Sequence, residues 1–365
     1  MEAWEKVLAN DKDFQASVHA QVGCVLCHGG NADVEEMNED GMNAAHEGVI
    51  RDPSNLTCGS CHKTIAEQNE TSFHTTLAGM KNGLIARGGD FSEGSELAQD
   101  FDRHCNSCHT TCGQCHVSIP TSAGGGLTSG HEFKSPPKMK DNCITCHGAR
   151  AGNEFMGSYE GVPADVHRTK GMQCSSCHGD EVHYSIGDAQ TRYQTTSGPS
   201  CDDSGCHEDV LTNTEGNPQH EQHIGDLSCY VCHAVEYKGC YNCHASLDED
   251  GEPVFTTEKA EMEFKIGLNP VSSSEIPAKY VVLRHIPVNT DLFAFYGDNL
   301  LPEFDNVPTW KYATPHNIQL HTPQNESCES CHGNADLFLT EKDIPEDEMG
   351  ANQGVIVEEI PDPEW

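Results

Sequence analysis

The stretch RHCNSCHTTCGQCH at residues 103–116 holds four cysteines and three histidines in fourteen positions. Thiolate and imidazole side chains are the preferred protein ligands of zinc, copper and iron centres. Closely spaced thiols also form disulfides and redox-active dithiols. The residue that follows each cysteine pair therefore decides which chemistry the sequence supports.

The 20 cysteines of the chain fall into ten pairs, and a histidine follows each pair directly. Nine pairs read Cys-x-x-Cys-His, whereas the pair in CDDSGCH has four residues between its cysteines. The paired cysteines are Cys24, Cys27, Cys58, Cys61, Cys105, Cys108, Cys112, Cys115, Cys143, Cys146, Cys174, Cys177, Cys201, Cys206, Cys229, Cys232, Cys240, Cys243, Cys328 and Cys331. The histidines that follow them are His28, His62, His109, His116, His147, His178, His207, His233, His244 and His332.

Cys-x-x-Cys-His is the attachment motif of c-type haem. On a helical turn, residues i, i+3 and i+4 share one face, so two thiols can bond the porphyrin edge while the histidine ligates the iron. The wider pair must bulge, and Gly205 permits the bulge. Disulfides, zinc knuckles and redox dithiols also use paired cysteines, but none of them requires an adjacent histidine. The sequence therefore predicts ten covalently bound c-type haems, with the motif histidines as proximal ligands.

Twelve further histidines lie outside the motifs, which is enough for a second axial ligand on every iron with two to spare. Several precede a motif by five to seven or by twelve residues, which suggests an irregular repeat. The predicted distal ligands are His19, His46, His74, His104, His131, His167, His223, His285, His316 and His321. His183 and His220 are predicted to be spare, because each lies close to a better-placed neighbour. Methionine could also ligate iron, but the nine methionines show no recurrent offset.

The composition predicts a chain that cannot build an apolar core of its own. Leucine, isoleucine, valine and phenylalanine make up 65 of 365 residues, and the formal charge is -37. Both values are typical of disordered chains. We therefore expect a mostly irregular fold with short α-helices wrapped around a closely packed chain of c-type haems. Little β-structure is expected, apart from a small β-rich segment around residues 278–297, where KYVVLRHIPV and NTDLFAFYG look strand-like.

The motifs divide the chain into four predicted segments. Residues 1–95 carry two haems, residues 96–245 carry seven, and residues 246–327 contain no cysteine. Residues 328–365 carry the tenth haem and an acidic tail. The cysteine-free segment is either a small cover over the haems or an arm that delivers histidines to them or to a neighbouring subunit. The tail is expected to be disordered unless Val355 to Val357 add an edge strand to another chain.

A helix is predicted over residues 95–109, because Leu97, Phe101 and His104 recur at helical spacing. Its apolar stripe is expected to face porphyrin.

Ten such motifs over most of residues 19–332 resemble the multihaem c-type cytochromes of anaerobic respiring bacteria and archaea. The run from CNSCHTTCGQCH through GGGLTSGH to CITCHGAR is similar to the octahaem-type periplasmic cytochromes. The chain also resembles filament-forming extracellular cytochromes, in which one subunit can supply an axial histidine to the next. The resemblance implies a decahaem electron carrier, which could be a filament, a monomer or a conduit held in an outer-membrane barrel.

An iron with both axial positions filled has no open site for substrate, so we expect electron transfer rather than catalysis. The expected partners are redox proteins, metal oxides, other cells and further copies of the chain. The alternative is a multihaem reductase of a small sulfur or nitrogen oxyanion, with one haem open at its distal site. In the octahaem tetrathionate reductases the catalytic haem has a proximal lysine, whereas all ten motifs here end in histidine.

The charge and the haem chemistry predict surroundings and partners. Ferric haems with their propionates would bring the charge to about -47, which favours low reduction potentials. Such a charge argues against nucleic acid and for basic partners, mineral cations or copies bridged by calcium. Haem is attached to c-type apoproteins outside the cytoplasmic membrane, so an extracellular or periplasmic location is expected. Residues 1–23 lack the pattern of a signal peptide, which suggests a mature chain, and no stretch has the length of a transmembrane segment.

Overall fold

Short helices and irregular segments make up most of the chain. The computed structural model describes residues 12–35, 38–106, 110–120, 123–195, 198–235, 240–260, 264–286 and 290–362. About 40% of the structure is helical and 9% is strand. The predicted mostly irregular fold with short helices is confirmed. Within the described residues, no helix has the length and apolarity that a membrane crossing requires.

The helical elements rarely exceed two turns. The α-helices are α1 (Lys12–Gln15), α2 (Val18–Gln21), α3 (Cys24–His28), α4 (Glu39–His46), α5 (Ser54–Cys61), α6 (Lys63–Asn69), α7 (Phe73–Thr76), α8 (Ala78–Ile85), α9 (Glu96–His104), α10 (Cys112–His116), α11 (Ile144–His147), α12 (Asn153–Met156), α13 (Val166–Thr169), α14 (Cys174–Cys177), α15 (Pro218–His223), α16 (Cys229–His233) and α17 (Met349–Asn352). Two π-helical turns, Met139–Cys143 and Gly148–Gly152, flank α11. Turns of 3-10 helix lie at Asp180–His183, Arg192–Gln194, Phe304–Asn306, Pro323–Asn325, Cys328–Ser330, Ala335–Leu337, Glu341–Asp343 and Gln353–Val355.

The chain forms two compact units, each assembled from separate stretches of sequence. Unit 1 comprises residues 1–77, 106–146 and 178–188. Unit 2 comprises residues 78–105, 147–177 and 189–365. The four predicted segments follow the motifs along the chain, whereas these units follow spatial contacts, so the segments stay a prediction.

Unit 2 contains two small antiparallel sheets. Strand β1 (Cys240–Leu247) pairs with β2 (Pro253–Ala260), with Cys240 opposite Ala260 and Leu247 opposite Pro253. Strands β3 (Phe264–Leu268), β4 (Tyr280–His285) and β5 (Trp310–Tyr312) form the second sheet in that order.

The β-rich segment predicted around residues 278–297 is correct for β4 and wrong beyond it. Residues 290–296 form turns instead of a strand. Ala294 N–H donates to Asp291 O, and Tyr296 N–H donates to Phe293 O, which are local turn hydrogen bonds. The turns bury Phe293 beside Leu97. The apolar residues of this segment therefore pack in a core without alternating between two faces of a sheet.

Strand β4 is buried on both faces, which gives unit 2 a core of its own. Val281 and Leu283 point to one apolar cluster, and Val282 points to another. This alternation is the two-residue period of a strand. The first cluster also contains Trp310, Tyr312, Leu339, Ile344, Val355 and Ile356. The second also contains Val231, Ile266, Phe338 and Val357.

The expectation of a disordered tail, or of a tail strand added to another chain, is wrong. Val355, Ile356 and Val357 are 2%, 7% and 4% exposed. The Val357 N–H donates to Leu339 O at 2.8 Å. The end of the acidic tail is apolar at these three positions, and burying them in the chain's own core is more favourable than leaving them in water.

Helix α9 confirms the predicted helix in part. Ser95 Oγ accepts a hydrogen bond from Ala98 N–H and caps its first turn. Leu97 and Phe101 are buried as expected, but they contact protein: Phe101 lies edge to face with Phe91, and Leu97 joins a third cluster. The prediction that this stripe faces porphyrin is therefore wrong at these two residues. Residues 107–109 lie outside the described residues.

Unit 1 has almost no apolar core among its described residues. Its buried hydrophobic side chains are Leu77 and Met139, which are 8% and 4% exposed. The same unit exposes large apolar side chains, and these are Val18, Val22, Val25, Leu26, Met42, Val49, Ile50, Leu56, Ile65, Phe133 and Tyr184. The expectation of a chain without its own core therefore describes unit 1 and is wrong for unit 2.

Replacing Leu339 with alanine should destabilise unit 2 strongly. Leu339 is fully buried in the cluster on one face of β4, so Leu339→Ala leaves a cavity that costs about 2–5 kcal/mol. The matched control is Leu211→Ala, because Leu211 is 46% exposed. Guanidinium unfolding followed by circular dichroism measures both changes. Equal losses in the two variants would contradict the assignment of this core.

Candidate metal centres

Most of the cysteine motifs adopt the helical turn that haem attachment requires. Helices α3, α10 and α16 each span a whole motif, and α5, α11 and α14 each contain part of one. A 3-10 turn begins at Cys328. The prediction of a helical turn is confirmed at these motifs. The motifs at residues 24–28, 58–62, 112–116, 229–233 and 328–332 carry cysteines that form no disulfide.

The wide motif at residues 201–207 bulges as predicted. Gly205 has φ of +83°, a conformation that favours glycine, and an added Cβ would meet nothing within 4 Å. The His207 N–H donates to Cys201 O at 3.1 Å, which closes the longer loop. Glycine is therefore needed for the backbone conformation and not for close packing.

The motif at residues 240–244 differs from the others. It lies on β1, where pairing with β2 holds the backbone extended. The helical-turn prediction is wrong at this motif in the structure. The side chains of Cys240 and Cys243 lie outside the described residues, as do Cys108 and His109.

In the part of the chain that the structure describes, six ring contacts each join a motif histidine to a histidine from outside the motifs. Their ring centroids are 6.0–6.3 Å apart. The pairs, with the motif histidine second, are His19 and His62, His131 and His28, His183 and His116, His167 and His207, His220 and His233, and His223 and His332. The first three pairs lie in unit 1 and the last three lie in unit 2.

This spacing fits one metal ion between two imidazoles. A metal–imidazole bond is about 2.0 Å long, and the bonded nitrogen lies about 1.1 Å from its ring centre. Two axial imidazoles on one iron therefore have centroids about 6.2 Å apart. The ring planes are inclined by 13° to 82°, and rotation about the metal–nitrogen bond changes this angle without changing the distance.

A further pair is indicated by electrostatics in unit 1. Burial lowers the pKa of His74, and the nearby His178 lowers it further. Burial likewise lowers the pKa of His19, His116 and His131, and in each case the facing histidine adds to the effect. A lowered pKa keeps the ring neutral at pH 7, which is the form that binds a metal.

Hydrogen bonds at Nδ1 set the orientation of many of these rings. A histidine that donates through Nδ1 carries its lone pair on Nε2, which is then the nitrogen that can bind a metal. Among the described residues, backbone carbonyls accept from six of them: His28 to Ile50 O (2.7 Å), His74 to Val182 O (3.4 Å), His116 to Lys134 O (2.6 Å), His183 to Asp180 O (3.2 Å), His233 to Gln319 O (3.1 Å) and His332 to Asp362 O (2.9 Å). Carboxylates accept from two: His167 to Asp165 (3.1 Å) and His178 to Glu181 (3.2 Å).

The structure places four histidines differently from the sequence-based expectation. His183 and His220, expected to be spare, each face a motif histidine. His104 and His285, expected to be ligands, instead have Nε2 at 2.5 Å from Tyr296 Oη and at 3.4 Å from a Glu348 carboxylate oxygen. Spacing along the chain gave no signal for most of this exchange, because the contacts of His183, His104 and His285 join residues far apart in sequence.

Three predicted distal ligands have other surroundings. His46 and His321 are exposed. The His316 N–H donates to Glu154 at 2.7 Å. Among the motif histidines, His244 also has an acidic neighbour. Its Nδ1 lies 3.7 Å from an Asp291 carboxylate oxygen.

Neighbouring motifs contact each other within each unit. A hydrogen bond between the thiols of Cys58 and Cys112 raises the pKa of Cys58 and lowers that of Cys112. The thiols of Cys201 and Cys229 interact in the same way, raising the pKa of Cys201 and lowering that of Cys229. The groups attached at these motifs would therefore be close neighbours.

Helices α5 and α10 are fixed together by a small polar network. Thr111 Oγ1 donates to Asp52 at 2.7 Å, and the Gly113 N–H donates to Ser54 Oγ at 2.7 Å. An added Cβ at residue 113 would overlap Ser54 Oγ. Glycine at the second position of this motif thus allows the two motifs to approach.

The ligand residues occur as pairs and not as larger clusters. In the part of the chain that the structure describes, no three or more histidine, cysteine, aspartate or glutamate side chains are grouped so that they could hold a metal ion. A structural zinc ion needs four protein ligands. An iron held in a porphyrin needs only two, so the paired histidines and attachment thiols fit haem.

Comparison with family models, curated proteins and solved structures gives no match for this chain.

Glu154, which holds His316, should make stability depend on pH. It is fully buried, and burial raises its pKa to about 8 from an ordinary value of 4.5. The folded state then keeps a proton that the unfolded state has lost, so this contribution is complete below about pH 4.5 and is lost as pH rises toward 8. Glu154→Gln should remove a slope of up to about 1.4 kcal/mol per pH unit.

Denaturant unfolding at several values between pH 5 and 8 tests this expectation. Glu160→Gln, at an exposed position, is the matched control and should keep the wild-type slope. An unchanged slope in Glu154→Gln would show that the buried carboxyl is not the source.

Proposed function

We propose that this chain is a multihaem c-type cytochrome that carries electrons through haems with two histidine ligands. One observation supports this most strongly: six motif histidines each lie opposite another histidine, with ring centroids 6.0–6.3 Å apart. The cysteines of the helical motifs would supply attachment thiols beside the proximal ligands of those motifs. The haem groups, when bound, would supply the electron-accepting iron, and the chain would fix their ligands and surroundings.

The pairs lead us to propose a revised set of distal ligands. His131, His19, His183, His74, His167, His220 and His223 would serve the motifs at residues 24–28, 58–62, 112–116, 174–178, 201–207, 229–233 and 328–332, in that order. His46, His316 and His321 would then serve the motifs at 105–109, 143–147 and 240–244. His104 and His285 take the place of the spare histidines, because Tyr296 and Glu348 already contact their Nε2 atoms.

The exposed apolar surface of unit 1 supports the same proposal. Its unburied leucine, isoleucine and valine side chains include Val25 and Leu26, which lie inside a cysteine motif. A porphyrin attached to Cys24 and Cys27 would cover apolar surface next to these residues, and such burial stabilises by about 25 cal/mol per Å². In unit 1 the haems would therefore act both as cofactors and as part of the hydrophobic core.

The wider setting is proposed from haem chemistry, charge and the family resemblance. We propose an exported protein that exchanges electrons with redox proteins, metal oxides or other cells. A net charge of -37 favours basic or cationic partners over nucleic acid. Assembly as a filament rests on the resemblance alone, because Val355 to Val357 are buried within the chain and offer no edge strand.

The first test is haem content and spin state. Expression with a c-type haem attachment system should yield ten covalent haems by mass spectrometry and a pyridine haemochrome assay. Electron paramagnetic resonance of the ferric protein should show low-spin iron throughout. Free thiols or bound zinc would refute the proposal, and a high-spin signal from about one tenth of the iron would favour a reductase with one open haem.

The second test separates the revised ligands from the spare histidines. His183→Ala and His220→Ala should each convert about one tenth of the iron to high spin, because each removes one of two axial ligands. His285→Ala and His104→Gln are the controls and should leave the iron low-spin, with glutamine keeping a partner for Tyr296. The reverse pattern would restore the assignment made from sequence.

A further inference from the structure

Asp165 contacts His167, one of the paired histidines, through a network of hydrogen bonds that uses both of its carboxylate oxygens. It caps helix α13, where its Oδ1 accepts from the backbone N–H groups of His167 (2.7 Å) and Arg168 (3.2 Å). The same oxygen lies 3.1 Å from His167 Nδ1. Its Oδ2 accepts from the Ile318 N–H at 2.7 Å. The side chain is 2% exposed, so these contacts replace water on both oxygens.

The ring of His167 lies beside the histidine of the wide motif. Its ring faces His207 at 6.1 Å, the spacing of two ligands on one iron. Asp165 thus contacts the distal ligand of the proposed haem at residues 201–207 without contacting the haem iron itself. This is the position of a residue that acts through a ligand.

The partner of Nδ1 differs in kind among these histidines. At His28, His116 and His233 a neutral carbonyl accepts the proton. At His167 the acceptor is a carboxylate, and at His178 it is the Glu181 carboxylate, 3.2 Å from Nδ1. A negative acceptor draws the Nδ1 proton more strongly and makes the ring a stronger donor through Nε2. A stronger donor stabilises ferric over ferrous iron.

We propose, on the basis of the function proposed above, that Asp165 and Glu181 are positioning residues that lower the reduction potentials of the haems at residues 201–207 and 174–178. These two haems would be reduced last, after the haems whose histidines bond to carbonyls. The two motifs are neighbours, because the Cys177 and Cys201 thiols interact electrostatically. The chain would therefore contain two low-potential sites.

The contacts of Asp165 also lead to the next motif along the chain. The Ile318 N–H bonds to Asp165, while Gln319 O accepts from His233 Nδ1 and Gln319 N–H donates to His233 O. Two consecutive residues, Ile318 and Gln319, thus contact the groups that orient ligands of the haems proposed at 201–207 and 229–233. A change at Asp165 that moved this segment would disturb both haems, whereas a change of charge alone would affect only the first.

The test is a redox titration of the full-length protein carrying Asp165→Asn or Glu181→Gln. Each variant keeps an oxygen that can accept from histidine Nδ1 and removes the negative charge. We expect about one tenth of the haem absorbance to titrate at a more positive potential in each variant and about two tenths in the double variant. Asp209→Asn removes an equal charge at an exposed position two residues after His207 and is the matched control.

Three measurements keep the outcomes distinct. Haem content and the low-spin signal report whether ligation survives, since the asparagine amide can leave the Ile318 N–H without an acceptor. Ten low-spin haems with unchanged potentials in both variants would overturn this inference and leave the proposed function intact. An equal shift in Asp209→Asn would overturn it as well, because general charge would then explain the effect. Absence of covalent haem in the wild-type protein would instead refute the proposed function.

Discussion

The rest of the structure depends on one constraint: pairs of imidazole rings must be held at the distance that leaves room for one metal ion between them. Each pair joins a histidine on a short turn to one that arrives from elsewhere in the same unit, as His28 meets His131. Helices of nine residues or fewer have little stability of their own. Ring orientation is therefore set by contacts such as the bond from His116 to Lys134 O, and not by the helices alone. Irregular backbone suits this task, because its free carbonyls can accept from Nδ1.

The two units meet the need for an apolar interior in different ways. Unit 2 packs both faces of β4 and adds the chain's last apolar residues to that core. Unit 1 buries little beyond Leu77 and Met139 among its described residues. The proposed haems would thus provide most of the interior of unit 1, while in unit 2 they would add to a protein core. Ligand binding of this kind contributes directly to folding stability, because the unfolded chain cannot hold both ligands of an iron.

The sequence predicted what is local and missed what depends on distant contacts. The helical turn of most motifs and the bulge at Gly205 follow from spacings of a few residues, and both are confirmed. The exchange of roles between His183 and His285 could not be read from spacing, since His183 meets His116 only after the chain has folded. Average composition likewise concealed the core around β4, because the apolar residues are concentrated in one unit. The apolar end of the tail was obscured by the acids around it.

The thiol contact between Cys58 and Cys112 has a consequence for maturation. Both sulfurs lie within hydrogen-bonding reach, and the contact favours the thiolate at Cys112. A thiolate beside a thiol is the arrangement from which an oxidant forms a disulfide. Such a crosslink would consume one attachment point from each of two motifs at once. If the proposed haems are attached here, the sulfurs would have to stay reduced until the vinyl groups of both porphyrins had reacted.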